Sequence, residues 1–213
     1  MDLYSELYYD YSHYTKEFQD QRYLNTFSID PKETQDVDDA ISIDLENKRI
    51  YIHIVDINKN IMVNSKNDCK ALEKCFTLYT PENKIINILP DYLAEDLFSL
   101  KAGKLRHVIT IELIFDDDDN YLNYDIYQSL ILNKRQYTYE EANFFKSKKE
   151  FQYLDKVLNN LNINLNKTFP NLKLYVKNND LVFFETKKND SFSEILIQKS
   201  MILTNNIISS EIY

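Results

Sequence analysis

The feature that most constrains the fold of this chain is a group of four acidic residues within ten positions: Asp30, Asp36, Asp38 and Asp39. The alternating run 41–45 that follows them predicts a half-buried β-strand. Pro31 fixes its own φ and pushes the preceding residue toward extended geometry, so a helix cannot run through the start of the group. The pattern therefore predicts a loop that folds back on itself beside a sheet.

The four carboxylates repel one another unless water or a cation lies between them. Two negative charges about 6 Å apart repel by roughly 3 kcal/mol at an effective dielectric near 20. Either the aspartates form an acidic loop that points into water, or they hold a cation, for which an all-oxygen site suits Mg²⁺ or Mn²⁺. A calcium loop of the EF-hand type is excluded, because counting from Asp36 puts Ile41 where that loop needs Gly and Asn47 where it needs Glu. The residues alone leave the first two alternatives open.

Composition favours a globular chain with one well-buried core. The 213 residues are 44% apolar and include 12 Phe and 17 Tyr, which argues against disorder. No run reaches the roughly 18 consecutive apolar residues of a membrane span, and the N-terminus lacks the pattern of a signal peptide. We therefore expect a soluble, intracellular and cytoplasmic protein with no membrane partner.

Several other conspicuous residues are interpreted as structural. The formal charge of −9 argues against a generic nucleic-acid binder, and the aspartate run 116–119 is interpreted as a solvated turn between two strands. Cys69 and Cys75 are too few soft ligands for a structural zinc site, and we interpret them as core thiols in a reducing compartment. His53 is interpreted as a strand residue that packs beside the acidic site rather than as a metal ligand.

Periodicity along the chain predicts an α+β domain with a mixed, largely antiparallel sheet and packed helices. Strand pairs are predicted at 41–45 with 50–54, 108–115 with 121–130, and 172–176 with 181–184. Helices are predicted after Asp68, which we expect to be the N-cap, and at 92–98, 154–161 and 196–207.

The acidic stretch closely resembles the signature of the RNB catalytic domain of the ribonuclease II, ribonuclease R and exosome-nuclease family. The matching residues are 29–31 and 36–42. Further segments resemble the family in the same order along the chain, namely 51–57, 76–81, 87–90, 93–100 with Arg106, and 193–205. Several collinear motifs are more specific than one, and together they cover nearly the whole chain from about Phe27.

The resemblance implies a 3′→5′ exoribonuclease that hydrolyses single-stranded RNA to nucleoside 5′-monophosphates with Mg²⁺ or Mn²⁺. It implies that the four aspartates are the catalytic residues and metal ligands, with Asp30 and Asp39 as the first choices for direct ligands and Asp38 nearest the 3′-terminal ribose. Tyr79 matches the family's tyrosine that contacts the terminal base, and Tyr139 aligns with another family tyrosine. Gln198 lies where the family has an acidic residue near the RNA.

Two departures from the family pattern are visible. The late helix of the family carries a paired Glu-Glu, whereas this chain has Gln198 and Lys199, so a hydrogen bond is kept and a charge is lost. The family's arginine motif lies beyond that helix, and this chain ends at Tyr213. Losing such a phosphate clamp typically lowers the rate by roughly 10² to 10³. We therefore expect a lead-in segment 1–24 and a partial RNB-like domain 25–213, completed by a second polypeptide or a missing C-terminal segment.

Three functions remain open from the sequence. The first is the RNB-type exoribonuclease, and the retention of all four aspartates favours it, since a degenerate site has no physical reason to keep clustered charges. The second is a catalytically degenerate RNA-binding or scaffold protein, which Gln198 and the missing arginine favour. The third, an unrelated metal-dependent phosphoesterase, requires the ordered motif matches to be accidental.

Overall fold

The computed structural model describes residues 19–80, 85–163, 165, 171–177, 180–187 and 191–212. Most of the expected lead-in segment 1–24 therefore lies outside the described residues. The strands within them are β1 (Gln19–Asp20), β2 (Thr26–Asp30), β3 (Asp39–Asp44), β4 (Arg49–Val55), β5 (Leu78–Tyr79), β6 (Ile85–Ile86), β7 (Leu105–Phe115), β8 (Tyr121–Thr138), β9 (Asn171–Lys177) and β10 (Asp180–Lys187). The α-helices are α1 (Lys66–Lys74), α2 (Tyr139–Phe144), α3 (Lys149–Asn160) and α4 (Phe192–Ile212), and short helical turns cover Ile57–Lys59 and Leu93–Leu97.

The long strand β8 closes the main sheet on itself. Strands β2, β3, β4 and β7 follow one another as antiparallel neighbours. The first part of β8 pairs antiparallel with β7, from Tyr121 opposite Phe115 to Leu132 opposite Leu105. Its last part pairs parallel with β2, and Asp30 lies opposite Thr138. The predicted α+β class with a mixed, largely antiparallel sheet is confirmed.

The outward face of this sheet packs against α3 and α4 and forms the main core. Alternate residues of the strands supply aliphatic side chains to it, because successive strand residues point to opposite faces. The fully or almost fully buried members include Ile41, Ile50, Ile52, Ile111 and Leu113 from strands and Phe151, Leu154, Leu158 and Leu196 from helices. The alternation seen in the sequence is thus explained by burial of this face.

The other face of the sheet carries a buried polar network around His53. The two ring nitrogens lie 2.8 Å from Ser42 Oγ and 2.9 Å from Thr110 Oγ1. Thr110 in turn lies within hydrogen-bond distance of Ser129, and Ser42 lies 2.8 Å from Thr26 Oγ1. Burial lowers the pKa of His53 to about 3, so the ring is neutral at physiological pH. His53 is therefore a satisfied structural residue of β4.

Two predictions about α1 are wrong. The N-cap is Ser65, whose side chain accepts from the Asp68 backbone N–H at 3.3 Å, while the Asp68 carboxylate accepts from the Asn64 N–H at 2.7 Å. Cys69 and Cys75 are exposed rather than core thiols. The reason is that α1 buries none of its residues, although its apolar residues recur at helical spacing.

The acidic run 116–119 forms the predicted turn between β7 and β8, but Asp119 is buried rather than solvated. Its two carboxylate oxygens form ion pairs with Lys48 at 2.8 Å and Lys156 at 2.5 Å. These ion pairs offset the desolvation of the carboxylate and connect the turn to α3.

Among the described residues, no helix combines the length and the apolar character needed to cross a membrane.

Candidate active site

The ends of two neighbouring strands place the acidic residues. Asp30 is the last residue of β2 and Asp39 is the first residue of β3, and the loop 31–38 between them carries Asp36 and Asp38. Because β2 and β3 are antiparallel neighbours, this loop returns the chain to the same edge of the sheet. The structure therefore brings all four predicted aspartates to one edge.

Val37 anchors the loop at its middle. Its side chain is fully buried, its N–H donates to Ser99 Oγ at 2.9 Å, and its carbonyl accepts from the Leu100 N–H at 2.8 Å. Ser99 Oγ also donates to the Gln35 carbonyl at 2.9 Å. The loop is thus held against the segment that follows the helical turn Leu93–Leu97, and the residues on either side of Val37 are fixed with it.

Exposure differs strongly among the four carboxylates. Asp30 is 9% exposed, and its Oδ2 is buried without a hydrogen-bond partner. Asp36 and Asp39 are half-buried, and Asp38 is exposed. A buried carboxylate oxygen without a partner is unfavourable unless a cation or a donor reaches it. An acidic loop in which all four side chains point into water does not describe this arrangement.

Desolvation and mutual repulsion raise the pKa values of three of these carboxyls. Burial raises the pKa of Asp30 to about 6, with repulsion from Asp38 and Asp36 adding to it and a Ser28 hydrogen bond opposing it. Burial, together with repulsion from Asp30 and Asp38, raises the pKa of Asp39 to about 7. Although part of Asp38 is exposed, partial desolvation of its carboxylate by the surrounding residues raises its pKa, and repulsion from Asp36 adds to the shift. The four carboxylates are therefore close enough to repel one another.

The oxygen donors of this group fit a hard divalent cation, whereas the positions of the side chains do not form a complete metal-binding site. The donors are all carboxylates, and the unpartnered Oδ2 of Asp30 is a free ligand atom. Within the part of the chain that the structure describes, no three His, Cys, Asp or Glu side chains are placed so that they could hold a metal ion as they stand. An ion at this edge therefore requires carboxylate side chains of this group to move closer together.

Tyr79 lies beside the acidic loop. It ends the short strand β5, which pairs with β6, and its side chain is 64% exposed. Partial desolvation raises the pKa of Tyr79, and repulsion from Asp36 and Asp38 adds to the shift. The ring is therefore an exposed aromatic surface next to the carboxylates.

Tyr139 lies next in the chain to the strand partner of Asp30. It is the first residue of α2 and directly follows Thr138, the residue paired with Asp30. Thr138 and Glu141 form a capping box at the start of this helix, in which the side chain of each accepts from the backbone N–H of the other. A cleft of about 450 Å³ starts here, lined by Pro31, Lys32, Glu33, Tyr139, Glu140, Asn143, Ser191 and Glu194. The cleft has room for a nucleotide and adjoins the end of β2.

Gln198 is half-buried on α4 and does not line this cleft. Glu194, one helical turn earlier, does line it, and its carboxylate also accepts from the Ser191 N–H at 2.6 Å. Sequence reasoning missed Glu194 and Ser99. The hydroxyl of Ser99 acts through the backbone of a loop more than 60 residues away, for which a sequence pattern gives no signal.

Comparison with known proteins identifies close similarity over almost the whole chain. A model of the RNB domain matches residues 18–213. Ribonuclease R of Chlamydia pneumoniae is 29% identical over 210 residues, which cover 91% of this chain and 31% of that protein. The chain spans less than a third of the length of the curated relatives it matches.

Solved structures share the fold. Mycoplasma genitalium RNase R in complex with ribose-methylated single-stranded RNA matches with a TM-score of 0.82 and 19% identity, over 93% of this chain and 34% of that one. Yeast Ssd1, described as a pseudonuclease, matches with a TM-score of 0.61 and 17% identity, over 70% of this chain and 19% of that one. At these identities the structural similarity establishes the fold alone.

Proposed function

The chain belongs to the RNB domain family, and on that premise we propose that it is a 3′→5′ exoribonuclease that hydrolyses single-stranded RNA with Mg²⁺ or Mn²⁺. One observation carries the proposal. Asp30 Oδ2 is buried without a hydrogen-bond partner, among carboxylates whose pKa values are raised. These are the properties expected of metal ligands when no cation is bound to them. The names of the relatives, ribonuclease R, support the same choice of substrate.

We assign different roles in this reaction to the individual aspartates. Asp30 and Asp39 are the proposed principal ligands, because both terminate strands of the sheet and Asp30 is the most buried of the four. A divalent ion bound there would activate a water molecule and stabilise charge on the phosphate oxygens. Asp38, the exposed member, is proposed to contact the 3′-terminal ribose, whose 2′-hydroxyl distinguishes RNA from DNA.

A phosphate-binding arginine is proposed to come from outside these 213 residues, from a second polypeptide or another segment. The chain contains four arginines, and each is engaged by other groups of the protein. Arg22 pairs with Asp20, Arg49 pairs with Glu112, and Arg135 lies 4.2 Å from the Tyr137 ring centre. Arg106 donates to the carbonyls of Ser99 and Asp96. The rate of the chain alone is therefore expected to be low.

The test uses a single-stranded oligoribonucleotide labelled at its 5′ end, incubated with micromolar protein and Mn²⁺. The expected result is a ladder of 5′-labelled products that shorten from the 3′ end, with nucleoside 5′-monophosphate released and no products when EDTA is present. The test includes this chain alone and this chain with a longer RNB protein whose own aspartates have been removed. RNA that remains intact over many hours in both cases would rule out the proposed exoribonuclease function.

A catalytically degenerate RNA-binding or scaffold protein is the second candidate. Its support is the similarity to a pseudonuclease and the lack, among the described residues, of three side chains already placed around a metal. Gln198 at the position of a family acid points the same way. RNA binding that neither Mn²⁺ nor Asp39→Asn alters, without any trimming, selects this candidate.

Tyr79→Ala is expected to weaken the binding of single-stranded RNA about 5- to 150-fold, because stacking of a base on an aromatic ring contributes roughly 1–3 kcal/mol. The side chain is 64% exposed, so the free energy of unfolding is expected to change by less than about 0.5 kcal/mol. Fluorescence anisotropy with a labelled oligonucleotide in EDTA measures the affinity. Tyr79→Phe keeps the ring and should bind as the unmodified protein does; equal binding by Tyr79→Ala would remove Tyr79 from the site.

A further inference from the structure

A second cleft, of about 320 Å³, lies between the start of α3 and the paired strands β2 and β8. Three cationic side chains line it, those of Lys134, Arg135 and Lys148, together with Tyr137 and one carboxylate, Glu150. We call these five residues the basic cleft. It is separate from the cleft at Tyr139, with which it shares no lining residue.

The cations of the basic cleft are held by aromatic rings and neutral oxygens. The Arg135 guanidinium lies 4.2 Å from the ring centre of Tyr137 and 5.2 Å from that of Phe145. Lys148 Nζ lies 4.9 Å from the Phe145 ring centre and donates to the Tyr137 hydroxyl at 3.0 Å. Lys134 Nζ donates to the Tyr23 carbonyl at 2.9 Å.

These cations keep their charge available for a ligand. Among the ion pairs of the described residues, none includes Lys134, Arg135 or Lys148. The whole chain carries a formal charge of −9, whereas the basic cleft, with three cations and one carboxylate, carries a positive formal charge. Rings that hold a guanidinium or ammonium group fix its position without neutralising it. The basic cleft is therefore suited to an anionic group.

An exposed aromatic side chain lies beside the basic cleft. Phe144 is 81% exposed and its ring meets that of Phe145 edge-on, with 5.2 Å between the ring centres. The Phe144 ring does not contribute to the core and can accept a stacked base. Aromatic rings beside a positively charged groove are typical of surfaces that bind single-stranded nucleic acid.

We propose that the basic cleft binds the phosphate backbone of single-stranded RNA, with Phe144 stacking on a neighbouring base. The choice of RNA over DNA rests on the proposed function; the choice of a single strand rests on the exposed ring of Phe144, since paired bases in a duplex cannot stack on it. The cleft contacts RNA outside the pocket where the 3′ end is held.

The position of the basic cleft relative to the aspartates follows from the strand register. Phe27 of β2 lies opposite Arg135 of β8, and Asp30 lies opposite Thr138. Three residues of strand correspond to about 10 Å. The basic cleft and the acidic group therefore lie about three residues apart along one strand pair, and because that separation is odd they lie on opposite faces of the sheet.

The test measures the binding of a labelled 20-nucleotide oligouridine by fluorescence anisotropy in EDTA, so that neither metal nor cleavage is involved. The double variant Arg135→Gln/Lys148→Gln removes two charges, and the matched control Arg135→Lys/Lys148→Arg keeps them. We expect the Gln variant to bind about tenfold more weakly at 0.1 M salt, with the slope of log K against log salt reduced by about 1.4, since each contact with a single strand contributes about 0.7. The control should keep both values.

Phe144→Ser separates stacking from charge. Because the side chain is 81% exposed, the variant should fold normally, and it should weaken binding about tenfold while leaving the salt slope unchanged. Unlabelled oligouridine should displace the label far better than polyglutamate or inorganic phosphate.

Unchanged affinity and slope in the Gln variant would overturn the proposal, as would equal displacement by polyglutamate, which assigns the cleft to polyanions in general. Loss of binding in the control and the Gln variant alike would assign the two residues a structural role and overturn it too. Failure of the proposed exoribonuclease function is recognised separately, as binding without trimming when Mn²⁺ is added.

Discussion

Replacing Asp39 with asparagine is expected to abolish RNA trimming and to stabilise the folded protein in the absence of metal. Trimming should fall by at least roughly 10²-fold, because a proposed ligand and its charge are removed from the reaction centre. The stabilisation follows from the pKa of Asp39, which burial and the neighbouring Asp30 and Asp38 raise to about 7. An amide of the same size carries no charge to desolvate.

The sign of the stability effect depends on pH. A carboxyl whose pKa is raised in the folded state binds a proton more tightly there than in the unfolded chain, so its charge destabilises the fold above pH 7. Asp39→Asn should therefore raise the free energy of unfolding by up to about 4 kcal/mol at pH 8, and the gain should fade as the pH falls from 7 toward 4. Urea unfolding in EDTA at pH 8 and pH 5 measures both values.

Asp44→Asn is the matched control, since Asp44 ends the same strand β3 at its other end. Burial is the largest single influence and raises the pKa of Asp44, but hydrogen bonds from Asn47 and from the Glu46 N–H, together with the Arg49 charge, outweigh it and lower the pKa overall. Its replacement should leave trimming unchanged and should stabilise nothing. An Asp39→Asn protein that is less stable than the unmodified protein at pH 8, or one that trims RNA at the normal rate, contradicts this account of Asp39.

The second large effect is on metal affinity, which is expected to increase by about 10²-fold between pH 5 and pH 7.5, because the ligands must lose protons before they bind an ion. The raised pKa values of Asp30, about 6, and Asp39, about 7, place that change in this range. Isothermal titration with Mn²⁺ in buffers of different ionisation enthalpy should show a proton released on binding near pH 6.5.

Two variants test whether Asp39 is responsible for this dependence of metal affinity on pH. Asp39→Asn should bind Mn²⁺ more weakly and with a shallower dependence on pH, because one of the two titrating carboxyls is gone. Asp44→Asn should leave the affinity and its pH dependence unchanged. Affinity that stays constant from pH 5 to pH 7.5 would show that Asp30 and Asp39 are not the ligands.

Local patterns predicted the strands and helices well where burial is one-sided. The alternation in 41–45 and 50–54 identified β3 and β4, because one face of each strand lies in the core. The same reasoning failed for Cys69 and Cys75, since the apolar residues of α1 recur at helical spacing but the helix buries none of them. Periodicity reports which side chains share a face and does not report what covers that face.

The parallel pairing of β2 with the end of β8 is the part of the fold that the sequence could not reveal. Asp30 and Thr138 are more than 100 residues apart, and no turn connects their strands. This pairing closes the sheet and brings Tyr139 and its cleft to the acidic edge. The spacing of the aspartates and the resemblance to a family predicted the acidic site from the sequence. The hydrogen bond between the Val37 N–H and Ser99 Oγ, in contrast, depends on tertiary structure alone.

The most direct test of the central claim, that the clustered carboxylates capture a divalent ion, is electron paramagnetic resonance of Mn²⁺ titrated with the protein at pH 8. The account predicts that the signal of free hydrated Mn²⁺ disappears at stoichiometric protein and reappears for the Asp30→Asn/Asp39→Asn variant. A free-ion signal that persists with the unmodified protein at millimolar concentration would contradict it.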